Sequence, residues 1–377
     1  VARESDLPFA GITAAAVRGR GPAQLTRNSV LIARGIREAR ALIRREQPVA
    51  ILGTGGYVCF PLFVAARSLG VPTMIYLPDI VPGLAVKTLA RIATRAACSF
   101  PPSLRYLPRH KTIVTGYPVR PELITAVADR AGSRAAFGLT DDLPVLFVYG
   151  GSRGARSINR AIEALLPELL KLAQIIHVCG REGDETWLRA AAERLPAELR
   201  ARYHLYPYLF SGGQGSGVRG QGSGVRGQGA EEQGNTRTMN HPASEEITPN
   251  RQPPTPAMAQ AFGAADVAIA RAGASTLAEL PIAALPAVLV PYPYVHQDEN
   301  ADYLVSHGAA VSVADAAMLG TGDPVDGPLF RAARRLLTDH AARRAMAARS
   351  AALAQPRAAE TLADALLDLA DGGSAHA

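Results

Sequence analysis

Long apolar runs are missing from this chain. No stretch approaches the roughly 20 consecutive apolar residues that a membrane-crossing helix needs. The opening residues, Val1-Ala2-Arg3-Glu4-Ser5-Asp6, turn polar at once, without the pattern of a signal peptide. Cysteine is scarce. Cys59, Cys98 and Cys179 lie far apart in apolar or glycine-rich surroundings, an odd count that fits neither a disulfide framework nor a metal site. They read as buried thiols. Aromatic residues are only 6% of the chain, and no basic run is interleaved with them, so nucleic acid is not an expected partner. No Asp-x-Asp pair occurs either, and neither a metal nor a cofactor is expected.

What is present is a globular composition, 48% hydrophobic and 19% charged, over 377 residues, enough for two domains with their own cores. The net charge of +7 points to an anionic partner, a nucleotide or a phospholipid surface. The most informative stretch is residues 266–300. A short apolar run, Asp266 to Ala270, meets a turn at Gly273; a helix of small residues follows, then Pro286 and a second apolar run, Ala287 to Val290. That is the strand–turn–helix–strand unit of a parallel α/β sheet, in which ligands sit at the carboxyl ends of the strands. Two turns there carry polar residues, Arg271 to Glu279 and Tyr292 to Asn300.

The same unit recurs along the chain. An amphipathic helix over Gln24–Glu46 places Leu25, Val30, Leu31, Ile36, Leu42 and Ile43 on its apolar positions, and Arg27, Arg34, Arg37, Arg40, Arg44 and Arg45 elsewhere. Such a basic helix is either a solvated face or a contact with an anionic membrane. Val49–Leu52 reads as a buried strand ahead of the glycine turn Gly53-Thr54-Gly55-Gly56 and a helix ending at Gly70. Strands follow at Pro72–Tyr76 and Lys111–Val114. A second half begins with a strand at Pro144–Tyr149, and Gly150-Gly151-Ser152-Arg153-Gly154-Ala155 leads into the helix of Ile158–Leu170. Glycines that free the backbone, a hydroxyl at Ser152 and a helix amino terminus suit a phosphate, although the spacing is neither the dinucleotide fingerprint nor a P-loop. Further strands are expected at Gln174–Val178 and Tyr203–Tyr206. The heptapeptide GQGSGVR then occurs twice in tandem, from Gly213 and from Gly220, in a polar segment over 211–256 that cannot bury a core and is expected to be a disordered insertion.

These stretches, GTGGYVCFP at 53–61, PGLAVKTLARIAT at 82–94, TGYPVRPEL at 115–123, YGGSRGARSIN at 149–159, ARAGASTLAEL at 270–280 and HQDENA at 296–301, resemble the MurG family of peptidoglycan N-acetylglucosaminyltransferases. The resemblance implies a GT-B glycosyltransferase fold, two Rossmann-like α/β domains facing across a cleft. The expected division is an acceptor- and membrane-facing domain at 1–122, a connector at 123–142, a UDP-sugar domain at 143–355 and a helix with its tail at 356–377. It implies inverting transfer of N-acetylglucosamine from UDP-N-acetylglucosamine to the 4-hydroxyl of the muramic acid sugar of lipid I, giving lipid II at the cytoplasmic face of the membrane. By the same resemblance Arg120 and Ser152 contact the nucleotide sugar, and Leu209 meets uracil through its backbone. Ala274, Ser275, Thr276, Leu277, Ala278 and Glu279 wrap the ribose and diphosphate, and Gln297 with Asn300 holds the sugar. Chemically, Glu279 can accept from both ribose hydroxyls, while Thr276-Leu277-Ala278-Glu279 also fits a simple helix capping box, and Arg120 fits a hinge salt bridge.

Two departures shape the expectation. The family's first glycine-rich loop, with the histidine that serves as its expected general base, is absent, so the first domain is expected to be incomplete and turnover impaired. Asp79 stands where the family has an asparagine that meets substrate, and is the substitute candidate for a base. The competing readings are a non-catalytic UDP-sugar-binding homologue, another glycosyltransferase, or a UDP-N-acetylglucosamine 2-epimerase of the same fold.

Overall fold

Two all-parallel sheets carry the chain, because each short apolar run is returned to the same direction by a helical crossover. The structure, a computed structural model, describes residues 8–14, 22–151, 153–209 and 257–374. Ser152 and the 211–256 insertion therefore lie outside the described residues.

The first sheet has strand order β1 (Ile51–Gly53), β2 (Thr73–Leu77), β3 (Arg95–Cys98), β4 (Thr112–Val114). Helices α1 (Pro22–Glu46), α2 (Cys59–Ser68) and α3 (Leu84–Ile92) cover one face, where Ala39, Ile43, Phe63, Ile75, Leu77 and Leu89 are buried together. Two expectations change here. Val30 is exposed, because the buried stripe of α1 runs through Ile36, Ala39 and Ile43, and a residue six positions before Ile36 turns off it. The strand foreseen at Val49–Leu52 starts instead at Ile51 and, among the described residues, stands at the edge of the sheet, with Val49 70% and Leu52 38% exposed.

The other face of this sheet is covered by the chain's last described helix, α14, introduced below. Before it come α4 (Pro121–Ala128) and α5 (Arg130–Ala136), then the second sheet's strands and helices: β5 (Val145–Tyr149), α6 (Arg156–Leu172), β6 (Gln174–Val178), α7 (Asp184–Glu193), α8 (Ala197–Arg200) and β7 (Tyr203–Tyr206). After residue 256 follow α9 (Met258–Ala264), β8 (Val267–Ala270), α10 (Thr276–Ile282), β9 (Ala287–Leu289), α11 (Gln297–Ser306) and β10 (Ala310–Ser312). Three helices close the chain, α12 (Pro328–Thr338), α13 (His340–Ala351) and α14 (Ala358–Ser374). Strand order in the second sheet is β10-β9-β8-β5-β6-β7. α6 and α12 bury one face through Ile162, Leu165, Leu169, Leu329 and Leu336; α9 and α10 bury the other through Phe262, Leu277 and Leu280.

α14 returns to the first sheet. Leu362, Ala365 and Leu369 pack on Met74, Tyr76 and Ala97, and the Arg95 guanidinium donates to the Ala365 carbonyl at 3.4 Å. Leu369→Ala is expected to cost about 2–5 kcal/mol, read as a lower urea midpoint, since the lost methyls leave a cavity between helix and sheet.

Candidate functional site

Strand order fixes where a ligand can enter. From β5 the chain proceeds to β6 and β7 on one side, then crosses to β8, β9 and β10 on the other, so β5 and β8 flank the point where the winding reverses. Tyr149 is in register with Ala270, so the loops that follow β5 and β8 leave the sheet side by side.

A cleft of about 370 Å³ opens beside these loops, within the size range of small-molecule sites. It is lined by Gly151 from the loop after β5 and by Ser275 and Glu279 from the loop after β8 and α10. Arg120 at the start of α4 and Leu209 just after β7 complete the set. Of the residues singled out in the sequence, Arg120, Leu209, Ser275 and Glu279 thus converge on one cavity. Ala274 and Ala278 lie on the same loop and first helical turn, partly accessible, and Thr276 is buried beside them. Leu277 turns its side chain into the core, so only its backbone can meet a ligand.

The capping-box alternative for this segment does not form. The residue that precedes α10 is Ser275 rather than Thr276, and it makes no side-chain cap. Glu279 is instead free to face the cavity. Burial pushes its pKa from 4.5 up to about 7, against the Ser275 hydroxyl and the Arg120 guanidinium, which both favour the charged form. Burial likewise raises the phenol pKa of Tyr149, whose buried hydroxyl lacks a well-formed partner although Thr276 is near. An orphaned hydroxyl on a cavity wall is an open place for a ligand's polar atom.

The loop after β5 is braced from behind. Asn159 on α6 donates to the Cys179 carbonyl and to Asp184, each at 2.8 Å, and its Oδ1 accepts from the Nε2 of the buried His177 at 3.0 Å. Arg156 pairs with Asp184 at 2.9 Å. Desolvation holds the His177 pKa down, to about 3, so this network is uncharged at the ring. Arg271, at the mouth of β8, is engaged by other loops. It donates to Asp315 at 2.5 Å, to the Val290 carbonyl at 3.0 Å and to Ser157 at 2.6 Å, tying three loops together rather than facing the cavity.

The remaining sequence candidates lie elsewhere. The Gln297 side chain accepts from the Tyr292 amide at 2.9 Å, outside the cavity lining. Asp79 sits exposed after β2, in the first half, and Asn300 is buried under the loop after β8. Sequence reasoning missed Tyr117, Tyr208, Met258, Ala259 and Phe262, which are among the other residues of the walls. The signal available for Tyr117 was its place in TGYPVRPEL; Met258 and Ala259 follow the polar insertion and carried none.

Two parallel α/β sheets, with a ligand cleft at the winding reversal of the second, are the architecture of the GT-B fold. Residues 1–98 match the glycosyltransferase family 28 N-terminal domain, and residues 226–365 its C-terminal domain. The chain is 55% identical over 381 residues to the UDP-N-acetylglucosamine--N-acetylmuramyl-(pentapeptide) pyrophosphoryl-undecaprenol N-acetylglucosamine transferase of a Roseiflexus species, covering 96% of this chain and 79% of the relative. The protein of the same description from Desulforudis audaxviator is 33% identical, with 98% of this chain and 86% of the relative covered. Among solved structures, Acinetobacter baumannii MurG is similar in fold, with a TM-score of 0.65 and 24% identity over 97% of this chain and 86% of that one. A UDP-GlcNAc 2-epimerase from Neisseria meningitidis follows at 0.56 and 12%, over 90% and 82%. The chain belongs to the MurG family of N-acetylglucosaminyltransferases within glycosyltransferase family 28.

Proposed function

We propose that this chain transfers N-acetylglucosamine from UDP-N-acetylglucosamine to the 4-hydroxyl of the muramic acid sugar of lipid I, giving lipid II. The observation that carries this reading is the convergence of Arg120, Leu209, Ser275 and Glu279 on one cavity at the winding reversal of the second sheet. In it, Glu279 accepts from the ribose hydroxyls and the Leu209 backbone meets uracil. Arg120, Ser152 and the amides of residues 150–155 at the start of α6 receive the diphosphate, with Ala274 to Ala278 beside them. Preorganised donors of this kind stabilise the charge that grows on a departing diphosphate. Displacement is direct and inverting: the acceptor oxygen bonds to the anomeric carbon as its bond to UDP breaks. Residues 143–355 form the donor side in this reading and 1–122 the acceptor side. Asp79, at the end of β2, is the sequence's candidate for taking the hydroxyl proton, and Gln297 lies toward the sugar.

The acceptor side also presents what a lipid surface would bind. Tyr57, Val58 and Leu84 are 58%, 50% and 56% exposed. Arg27, Arg34, Arg37 and Arg44 of α1 face solvent, and the net charge is +7. No helix among the described residues is long and apolar enough to cross a membrane. The chain is therefore read as a peripheral protein of the cytoplasmic membrane face.

A transfer assay with labelled UDP-N-acetylglucosamine and lipid I, run beside calorimetry with UDP, tests the reading. Product carrying both sugars is the expected result. Conversion of the donor without acceptor would replace it by epimerase chemistry, and binding without transfer by a non-catalytic role.

A further inference from the structure

One hydroxyl on the cavity wall is unspent. The Tyr149 hydroxyl is out of solvent's reach and makes no well-formed hydrogen bond; of the described groups in that state, only this one belongs to a residue lining the cavity. The ring cannot swing away to find a partner. It stacks on Phe147 with centroids 4.6 Å apart and meets Phe262 edge-on at 5.4 Å, and its strand is bonded on both sides, to β6 and to β8. A buried donor without a partner costs free energy, so one held this firmly calls for an acceptor within reach of where it stands.

That acceptor is on α10. Thr276 and Glu279 are three residues apart on the helix and so share a face; Thr276 lies near the phenol, and Glu279 lines the cavity with it. Burial, and after it the Glu279 charge, keep the phenol protonated, so it stays a donor throughout the neutral range. Glu279, for its part, is short of donors. Ser275 supplies one hydroxyl from the same loop, and Arg120 a charge from the start of α4. Tyr117 faces it as a half-buried phenol and Glu122 of α4 shares the cavity wall, while α9 brings only Met258, Ala259 and Phe262 there. An ionised carboxylate has about four acceptor sites, more than two ribose hydroxyls and Ser275 use.

We propose that Tyr149 is a positioning residue for Glu279: its unspent hydroxyl donates to the carboxylate from the β5 side and so fixes the direction in which Glu279 presents its remaining lone pairs to a ribose. What that carboxylate binds rests on the reading of the cavity as a UDP site; the pairing of phenol and carboxylate does not. Tyr149 serves the nucleotide only through Glu279.

Tyr149→Phe keeps the ring and removes the hydroxyl. Its Glu279 carboxyl, followed by carboxyl-labelled NMR from pH 5 to pH 9 without nucleotide and assigned with Glu279→Gln, is expected to titrate about one pH unit higher than in the unsubstituted chain, because a donor to the charged form is gone. UDP affinity by calorimetry is expected to fall about tenfold at pH 8 and less than about threefold at pH 6. In the Glu279→Gln background the same substitution is expected to change UDP affinity less than about threefold. Melting temperature at pH 6 is expected to hold or rise, since the hydroxyl has no bond there to lose. An unmoved Glu279 titration would overturn the inference. So would a lower melting temperature at pH 6, which assigns the hydroxyl to a structural bond with Thr276. An equal loss of UDP affinity with and without Glu279→Gln would overturn it in favour of direct contact with the nucleotide. Failure of UDP to bind the unsubstituted chain would sink the cavity reading instead, while the titration still reports on the pair.

Discussion

Glu279→Gln is expected to weaken UDP binding on the order of 100-fold at pH 8, and by less at pH 6, as hydrogen bonds to a charged group contribute about 1.5–3 kcal/mol. The pH dependence follows from where the carboxyl sits. Burial drives its pKa up to about 7, and the charges facing it are the Arg120 guanidinium and, through its hydroxyl dipole, Ser275; Tyr117 and Tyr149 stand on its other side as neutral phenols. Ionised, the group accepts from both ribose hydroxyls; protonated, it must give up an acceptor site. Affinity of the unsubstituted chain therefore rises from pH 6 to pH 8, while the amide variant stays flat. Stability moves the other way. The folded pKa lies above the unfolded value, so the folded chain holds the extra proton between pH 4.5 and about 7, and the stabilisation present at low pH is lost as pH rises through that window. The variant is thus expected to bind worse yet unfold at higher temperature at pH 8, a pairing that damage to the fold cannot produce. Calorimetric titrations at pH 6, 7 and 8 with parallel thermal melts check it, and a pH-independent affinity in the unsubstituted chain would take the carboxylate away from the ribose.

Gly154→Ala is the second large effect. Gly154 has φ +85°, and a Cβ there would run into the Cys179 carbonyl oxygen. Gly180, at φ +92°, meets the backbone of Gly154 from the opposite side, so neither loop has room to retreat. Left-handed strain and a backbone clash together are expected to cost about 3 kcal/mol or more. For a unit of roughly 200 residues, about the size of the second half, that is a fall of roughly 6–12 °C in melting temperature. UDP binding should disappear with it, since the loop after β5 can no longer hold its amides together. Gly56→Ala is the control: φ is +80° but nothing lies within 4 Å, so the expected cost is only about 1 kcal/mol, the left-handed strain alone. Equal effects of the two substitutions would mean that contact between the loops after β5 and β6 is not what shapes the phosphate site.

Much of the parallel fold was legible because strands buried on both faces are written as continuous apolar runs. Val145–Tyr149 and Gln174–Val178 are buried at every position and stood out. Arg95–Cys98 did not, because arginine, two alanines and a cysteine make no recognisable run; the strand is held by its neighbours rather than by its own propensity. Ala310–Ser312 is a three-residue edge paired only with β9 among the described residues, below the length at which periodicity shows. In the site, Glu279 and Arg120 could be named from their motifs, whereas the employment of Arg271 by Asp315 and Ser157 could not, since those partners are far off in sequence and nothing local signals them. Asn300 could be named from HQDENA beside Gln297, but its bonds to Ala272, Asp79 and Ile80 could not. Its neighbourhood in HQDENA is that of a helix start, and two of its partners, Asp79 and Ile80, lie in the opposite half of the molecule.

The covering of β2 and β3 by Leu362, Ala365 and Leu369 sets an order on biosynthesis. Met74 and Tyr76 leave the ribosome nearly three hundred residues before the side chains that shield them, so one face of the first sheet stays wet until those have been made. That half closes only when α14 has emerged. A chain cut short before Leu362 would show its flaw not at the cut but in the half made first.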